Sequence, residues 1–264
     1  MKYRRTTGAI GHWLIALLFV PLPLLAETGV TPAPVISIII DDMGRSLAPG
    51  LRVVQLPGPV ACAFLPRAPH TRELALRAHA LNKEVILHLP MDSMDHRPLD
   101  AGAVTLDMTH SEFIRTLQED LAAVPHVSGI NNHMGSLLTR HPGHMMWLMH
   151  ELRRHDQLFF VDSRTTVDTV ARRVAQENGV PSVDRDVFLD PDPSLEAVRH
   201  QFRRLLALAR KNGSATAIGH PYPSTLQVLE EELPRLTGVR VVPVADVIQL
   251  QQGRETPWQL SWYR

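Results

Sequence analysis

Val35-Ile36-Ser37-Ile38-Ile39-Ile40-Asp41-Asp42 opens on six residues of which five are strongly apolar, and it closes on two adjacent carboxylates. The run is too short for a helix. Its near-continuous hydrophobicity is that of a parallel strand covered on both faces. Comparable runs recur at Val60–Leu65, Val85–Leu89, Val127–Ile130, Leu158–Val161, Ala215–Ile218 and Val239–Val242, with a further short strand expected at Pro181–Val183 or Val187–Leu189.

Helical spacing fills the intervals. Leu74, Ala78 and Leu81 form one apolar stripe, Phe113, Leu117 and Leu121 another, and Met145, Met149 and Leu152 a third that reads as core packing. Thr109 with Glu112 and Ser224 with Gln227 have capping-box spacing, Pro193 after Asp192 marks a helix start, and Gly179 and Gly213 stand where helices end. Strands alternating with helices over this length predict an α/β fold, a distorted (β/α) barrel of seven or eight strands. An open doubly wound sheet is the rival. Its nucleotide-binding forms lose support because neither Gly-x-Gly-x-x-Gly nor Gly-Lys-Ser/Thr occurs.

The chain has 264 residues, with Lys+Arg and Asp+Glu equal at 27 each. A formal net charge of zero gives no basic face for nucleic acid, so no nucleic-acid partner is expected. Lys2, Arg4 and Arg5 precede an apolar run from Ala9 to Leu25, the pattern of a secretory signal. The expected organisation is a signal peptide at 1–26, a linker at 27–34, a barrel domain at 35–251 and a tail at 252–264 that holds Trp258, Trp262 and Tyr263. Such a protein would be exported to the periplasm or cell envelope, touching the membrane only if the signal stays uncut. Cys62 is the single cysteine, so no intramolecular disulfide forms, and it reads as a buried small hydrophobe.

In parallel α/β folds the loops after the strands' carboxyl ends build the site. Asp41 and Asp42 end the first run, His88 the third, Asn131, Asn132 and His133 the fourth, Asp162 the fifth and His220 the one at Ala215–Ile218. Each alone is an ordinary loop-start residue. Together, a barrel gathers them on one rim. Imidazole nitrogen and carboxylate oxygen suit zinc or another divalent metal, and three protein ligands leave a position open for water. Adjacent Asp41 and Asp42 fit a division of labour: neighbouring side chains on a strand point in opposite directions, so one reaches the metal and the other the substrate water. Pro90 rules out a continuous helix across His88 and Asp92, and with it a shared helical face.

Ile40-Asp41-Asp42-Met43-Gly44, His88-Leu89-Pro90-Met91, Asn132-His133-Met134-Gly135-Ser136, Asp162-Ser163 and Gly219-His220-Pro221, in this order, resemble the divergent polysaccharide deacetylase family from about Val35 to Leu250. The resemblance implies a distorted (β/α) barrel and metal-dependent removal of acetyl groups from a polysaccharide or peptidoglycan. It implies Asp41 as base, Asp42 and His88 as metal ligands, Asp162 as an orienting group and His220 as general acid. The broader group draws both histidine ligands from one His-x-x-x-His motif, whereas this chain has His88 and Asp92 there. His133 is taken as the replacement ligand, with Asp92 the alternative. Ser136 and Arg164 are assigned to substrate binding. One divalent metal, zinc by donor preference, is the expected cofactor. A barrel that binds glycan or an envelope partner without turnover, and a hydrolase of another amide or a phosphoester, are the competing readings.

Overall fold

The computed structural model describes Met1 and residues 33–95, 97–155 and 157–255. The chain divides into two units, Met1–Thr31 and Pro32–Arg264, and every described strand and helix belongs to the second. The expected signal peptide, most of the linker and the tail aromatics lie outside the described residues. No described helix is long and apolar enough to cross a membrane.

Strands β1 (Val35–Met43), β2 (Ala61–Phe64), β3 (Val85–Met91), β4 (Val127–Met134), β5 (Phe159–Asp162), β6 (Ser182–Asp184), β7 (Val187–Phe188), β8 (Ser214–Gly219) and β9 (Arg240–Val241) are interspersed, among the described residues, with eight α-helices. These are α1 (Leu47–Gln55), α2 (Thr71–Ala80), α3 (His110–Ala123), α4 (Pro142–Arg153), α5 (Ala171–Glu177), α6 (Leu195–Asn212), α7 (Pro223–Glu232) and α8 (Val244–Glu255). Every run expected to be a strand is one, and both short candidates form. The paired strands follow the order β6-β5-β4-β3-β2-β1-β8-β7, with β9 beside the foot of β1. All pairings between these strands are parallel. Consecutive order with β1 beside β8 is that of a curled barrel, not of a doubly wound sheet, whose order reverses at a switch point. The eight strands form a half-barrel whose path ends at β6 and β7. Residues 185–186 step between these ends: Arg185 N donates to the Asp162 carbonyl at 2.9 Å, and Asp186 N donates to the Thr216 carbonyl at 2.8 Å.

Alternation along the strands sorts the core into two clusters. Ile36, Ile38, Ile40, Cys62, Phe64, Leu87, Leu89, Ile130 and Phe160 pack with the surrounding helices. Val35, Ile39, Ala61, Ala63, Ile86, Phe159, Val161 and Ile218 form the barrel interior together with Val244, Val247 and Ile248 of α8. That helix closes the interior at the strands' amino ends. Glu84 holds its first turn by accepting from Val244 N and Ala245 N. Gly129 makes room for this layer, since a Cβ there would lie 2.3 Å from the Phe159 ring.

Local signals are partly obeyed. Thr109 and Glu112 form the expected capping box, and Gly213 ends α6 in the left-handed region (φ 82°). Three expectations are corrected. Ser224 lies inside α7, which begins at Pro223 after Tyr222, so no Ser224–Gln227 box forms. Ser194, not Asp192, precedes the first residue of α6; its Oγ accepts from Ala197 N, while Asp192 accepts from Ser194 N. Leu81 falls just past α2 and is 52% exposed, so that stripe ends at Ala78. Helix α8 runs four residues past the expected domain end, to Glu255.

The stretch between β3 and α3 is long, and a buried carboxylate fixes it. Val104 N donates to the Pro90 carbonyl and Asp92 N to the Val104 carbonyl. Gly102 (φ 89°) sits against Asp120, where a Cβ would meet Oδ1 at 2.6 Å. Asp120 is fully buried; Arg67 Nε donates to Oδ1 at 3.1 Å, and Oδ2 has no hydrogen-bond partner. Burial pushes this carboxyl up to about 7 despite Arg67. An unfolded aspartate titrates near ~3.9, so between these values the folded chain holds the extra proton. The resulting stability is complete below ~3.9 and is lost as pH rises through about 7. Urea unfolding at pH 5 and pH 8 should therefore show a larger loss of stability on raising the pH for wild type than for Asp120→Asn. Equal losses would contradict this.

Candidate active site

The inward positions that are apolar near the barrel foot turn polar at its mouth. Two residues after Ile39 stands Asp41, two after Ile86 stands His88, two after Gly129 stands Asn131, and two after Ile218 stands His220. Asp41, His88 and Asn131 are buried, so each needs a polar partner. Asn131 supplies two of them. Its Nδ2 donates to Asp41 Oδ1 at 2.8 Å and lies 3.3 Å from Ser163 Oγ. Its Oδ1 lies 2.8 Å from His88 Nδ1. An amide oxygen only accepts, so His88 carries a hydrogen on Nδ1, and the neutral ring presents a lone pair at Nε2.

The paired aspartates do not diverge as strand alternation predicts. Asp42 adopts φ 55°, a left-handed turn that aspartate tolerates, and this returns its carboxylate to the side of Asp41. Asp41 Oδ2 lies 3.5 Å and Asp42 Oδ1 3.4 Å from His88 Nε2. His133 arrives from the neighbouring strand, where His88 pairs with Asn131 and Pro90 with His133. Its Nδ1 lies 3.0 Å from His88 Nε2 and 3.1 Å from Asp42 Oδ1, while Nε2 lies 3.0 Å from Asp100 Oδ2.

Asp42, His88 and His133 are the one group among the described residues able to hold a metal ion. Their donor atoms stand 3.0, 3.1 and 3.4 Å apart. Ligands at ~2.0–2.1 Å from tetrahedral zinc are separated by roughly 3.3 Å, so this triangle matches one face of such a site. Asp42 Oδ1 is buried without a hydrogen-bond partner, as expected of an oxygen that awaits a cation. The residues present therefore fit a divalent metal. Asp92 is not among them. It serves the adjoining loops, its carbonyl accepting from Leu137 N and Leu138 N.

The electrostatics follow from crowding. Burial pushes Asp41 up, with His88, His220 and Asn131 opposing, and the carboxyl stays above its ordinary range. Burial also pushes Asp42 up, but the two imidazoles beside it, His133 and His88, outweigh it and hold the group well below that range. For His220, burial pulls down, and Asp190 and Asp41 hold it above its usual value. Asp190 Oδ1 lies 3.0 Å from His220 Nδ1, while Oδ2 accepts from His220 N at 2.6 Å and from Thr225 Oγ1 at 2.7 Å. This fixes the ring with Nε2 free. Tyr222 stacks on it at 5.3 Å, and a cleft of about 190 Å³ runs from Asp42 and Arg45 to His220 and Tyr222.

The other expected site residues lie at the margin. Asp162 Oδ1 accepts from Arg164 N at 2.8 Å, and Oδ2 accepts from Thr169 Oγ1 at 2.7 Å. Its carboxylate thus shapes the β5–α5 loop. Arg164 pairs with Asp184 at 3.2 Å. Ser136 Oγ accepts from Met94 N at 3.0 Å. Asp190, Asp100 and Arg185 were not indicated by the sequence motifs. Asp190 ends the apolar run Val187–Leu189, so a signal for it exists. Arg185 sends Nε and Nη2 to the carbonyls of Ser163 and Arg164, and no local pattern announces that.

The sequence pattern of the divergent polysaccharide deacetylases matches residues 38–248. The chain belongs to this family. A relative, the uncharacterized protein YibQ of Escherichia coli (strain K12), is 40% identical over 208 residues, 79% of this chain and 65% of that one. The chain thus spans a little under two thirds of that relative's length. Among solved structures, uncharacterized protein ATU2773 from Agrobacterium tumefaciens C58 superposes with TM-score 0.76 at 17% identity, covering 81% of this chain and 89% of that one. Peptidoglycan deacetylase PdaC from Bacillus subtilis superposes with TM-score 0.51 at 12% identity, covering 88% and 98%. At these identities the likeness is one of fold.

Asn131→Ala would leave the His88 Nδ1 hydrogen and Asp41 Oδ1 buried without their partner. The expected loss is about 1–3 kcal/mol, read by chemical denaturation of the metal-free protein. An unchanged unfolding midpoint would contradict the bridging role.

Proposed function

We propose that this member of the family is an exported, metal-dependent hydrolase that removes acetyl groups from an envelope glycan such as peptidoglycan. The observation that carries the proposal is the convergence of Asp42 Oδ1, His88 Nε2 and His133 Nδ1 beside a separate, buried Asp41. Zinc is the favoured ion for two imidazoles and a carboxylate. Export is supported by Lys2, Arg4 and Arg5 before the apolar run Ala9–Leu25. The glycan is supported by family membership and by the fold shared with PdaC.

A divalent metal held there supplies Lewis acidity that polarises an acyl carbonyl and acidifies water. The chain's own residues do the rest. Asn131 fixes Asp41 Oδ1, leaving Oδ2 to accept the proton of the attacking water, a task suited to a carboxyl held above its usual range by burial. As the bond from the acetyl carbon to nitrogen or oxygen breaks, His220 Nε2 returns a proton to the departing group. Asp190 keeps that nitrogen facing the cleft. Arg45 and Tyr222 line the cleft and are placed to meet the sugar. Asp162 acts indirectly through the loop that carries Ser163 and Arg164, and Ser136 and Arg164, in the loops after β4 and β5, would contact the glycan.

Acetate release from acetylated peptidoglycan and chitin oligosaccharides tests this, with acetylated peptides and phosphoesters as controls. Asp41→Asn should cut turnover about 10²–10⁴-fold while keeping its metal. Undiminished turnover in Asp41→Asn would remove Asp41 from the base role. A metal-loaded wild type inert on every substrate would favour a glycan-binding barrel without turnover.

A further inference from the structure

Asp100 belongs to the stretch between β3 and α3 and to no strand end, yet it reaches the back of a metal-ligand candidate. Its Oδ2 lies 3.0 Å from His133 Nε2. Arg45 donates to both of its oxygens, Nη1 to Oδ1 at 3.0 Å and Nη2 to Oδ2 at 2.8 Å. The same guanidinium places Nε 3.5 Å from Asp42 Oδ2. One arginine thereby ties the carboxylate behind His133 to the carboxylate in front of it. The stretch that carries Asp100 is itself held by the Met91–Val104 bridge and by Gly102 against Asp120.

A neutral imidazole carries one hydrogen, and its position decides whether the centre is open to a cation. Placed on Nε2, it is donated to Asp100, and Nδ1 turns a lone pair toward Asp42 Oδ1 and His88 Nε2. Placed on Nδ1, it could be donated to either of these acceptors, 3.1 and 3.0 Å away. That internal hydrogen bond would occupy the donors a metal needs. His88 is already set by Asn131, so His133 is the ligand whose state is left to a second partner.

We propose that Asp100, clamped by Arg45, is a positioning residue that keeps the hydrogen of His133 on Nε2 and so tunes the metal affinity of the centre. This rests on the metal-site reading above and extends it to a carboxylate outside the strand-end motifs. It assigns the β3–α3 stretch a part in the site. Outer partners of ligating histidines fix tautomer and ring orientation, and their loss typically weakens metal binding about 10–100-fold.

The test compares wild type, Asp100→Asn and Asp100→Ala. Histidine-ring ¹⁵N NMR of the metal-free proteins reads the tautomer, and chelator competition reads zinc affinity. Wild-type His133 should show the hydrogen on Nε2. In Asp100→Ala it should shift toward Nδ1, with zinc bound about 10–100-fold more weakly. Asp100→Asn, which keeps an acceptor but loses the charge held by Arg45, should fall between. Wild-type zinc affinity in both variants, or in Asp100→Asn alone if the alanine variant does not fold, overturns the inference and leaves the metal site standing. A wild type that takes up no zinc overturns the metal-site reading and the inference with it.

Discussion

The two-residue repeat of a strand is the constraint on which this protein depends. Side chains at i and i+2 share a face, so the positions that feed Ile39, Ile86, Gly129 and Ile218 into the barrel interior next deliver Asp41, His88, Asn131 and His220. The polar layer is the top course of the same stack, resting on apolar side chains closed from below by α8. A one-residue slip in any of these strands would turn the functional side chain out toward the helices. Continuous apolar runs on both faces oppose that slip, because Ile36, Ile38 and Ile40 must equally meet the helices.

Burying charge at the top of that stack is tolerable only with partners in place. Asn131 is central because an amide donates and accepts at once: it satisfies Asp41 with one end and sets the His88 tautomer with the other. Asp190, an acceptor only, engages Nδ1 of His220, and Asp100 is placed to accept from Nε2 of His133. His88 and His133 thus each have one nitrogen engaged by an outer partner and the other 3.4 and 3.1 Å, respectively, from Asp42 Oδ1. The left-handed turn at Asp42 completes the set by breaking strand alternation at the single point where two adjacent carboxylates must meet one histidine.

Much of this is legible in the sequence. Apolar runs such as Val35–Ile40 and Val85–Leu89 mark the strands, and the polar residues that end them mark the mouth. His133 stands on β4, adjacent to β3 and two positions past the Asn131 pairing, which brings its ring to His88. What escapes the sequence is what depends on distant partners. Asp162 and Asp190 both end apolar runs, yet the first shapes its own loop and the second reaches a histidine 30 residues away. Asp100 has no periodic neighbour to announce it, since its partners Arg45 and His133 come from other strand ends. The turn at Asp42 is likewise invisible to alternation, which sends the two aspartates apart. Ser224 misleads for a local reason: Pro223 starts its helix one residue early.

Asp42 Oδ1, His88 Nε2 and His133 Nδ1 meet around a place for one cation. Elemental analysis of the purified chain, with wild type beside His133→Ala, tests this most directly. About one divalent ion per wild-type chain, lost in the variant, is the result this arrangement predicts. A wild-type chain that stays metal-free after dialysis against zinc, or a His133→Ala chain that keeps its ion, would contradict it.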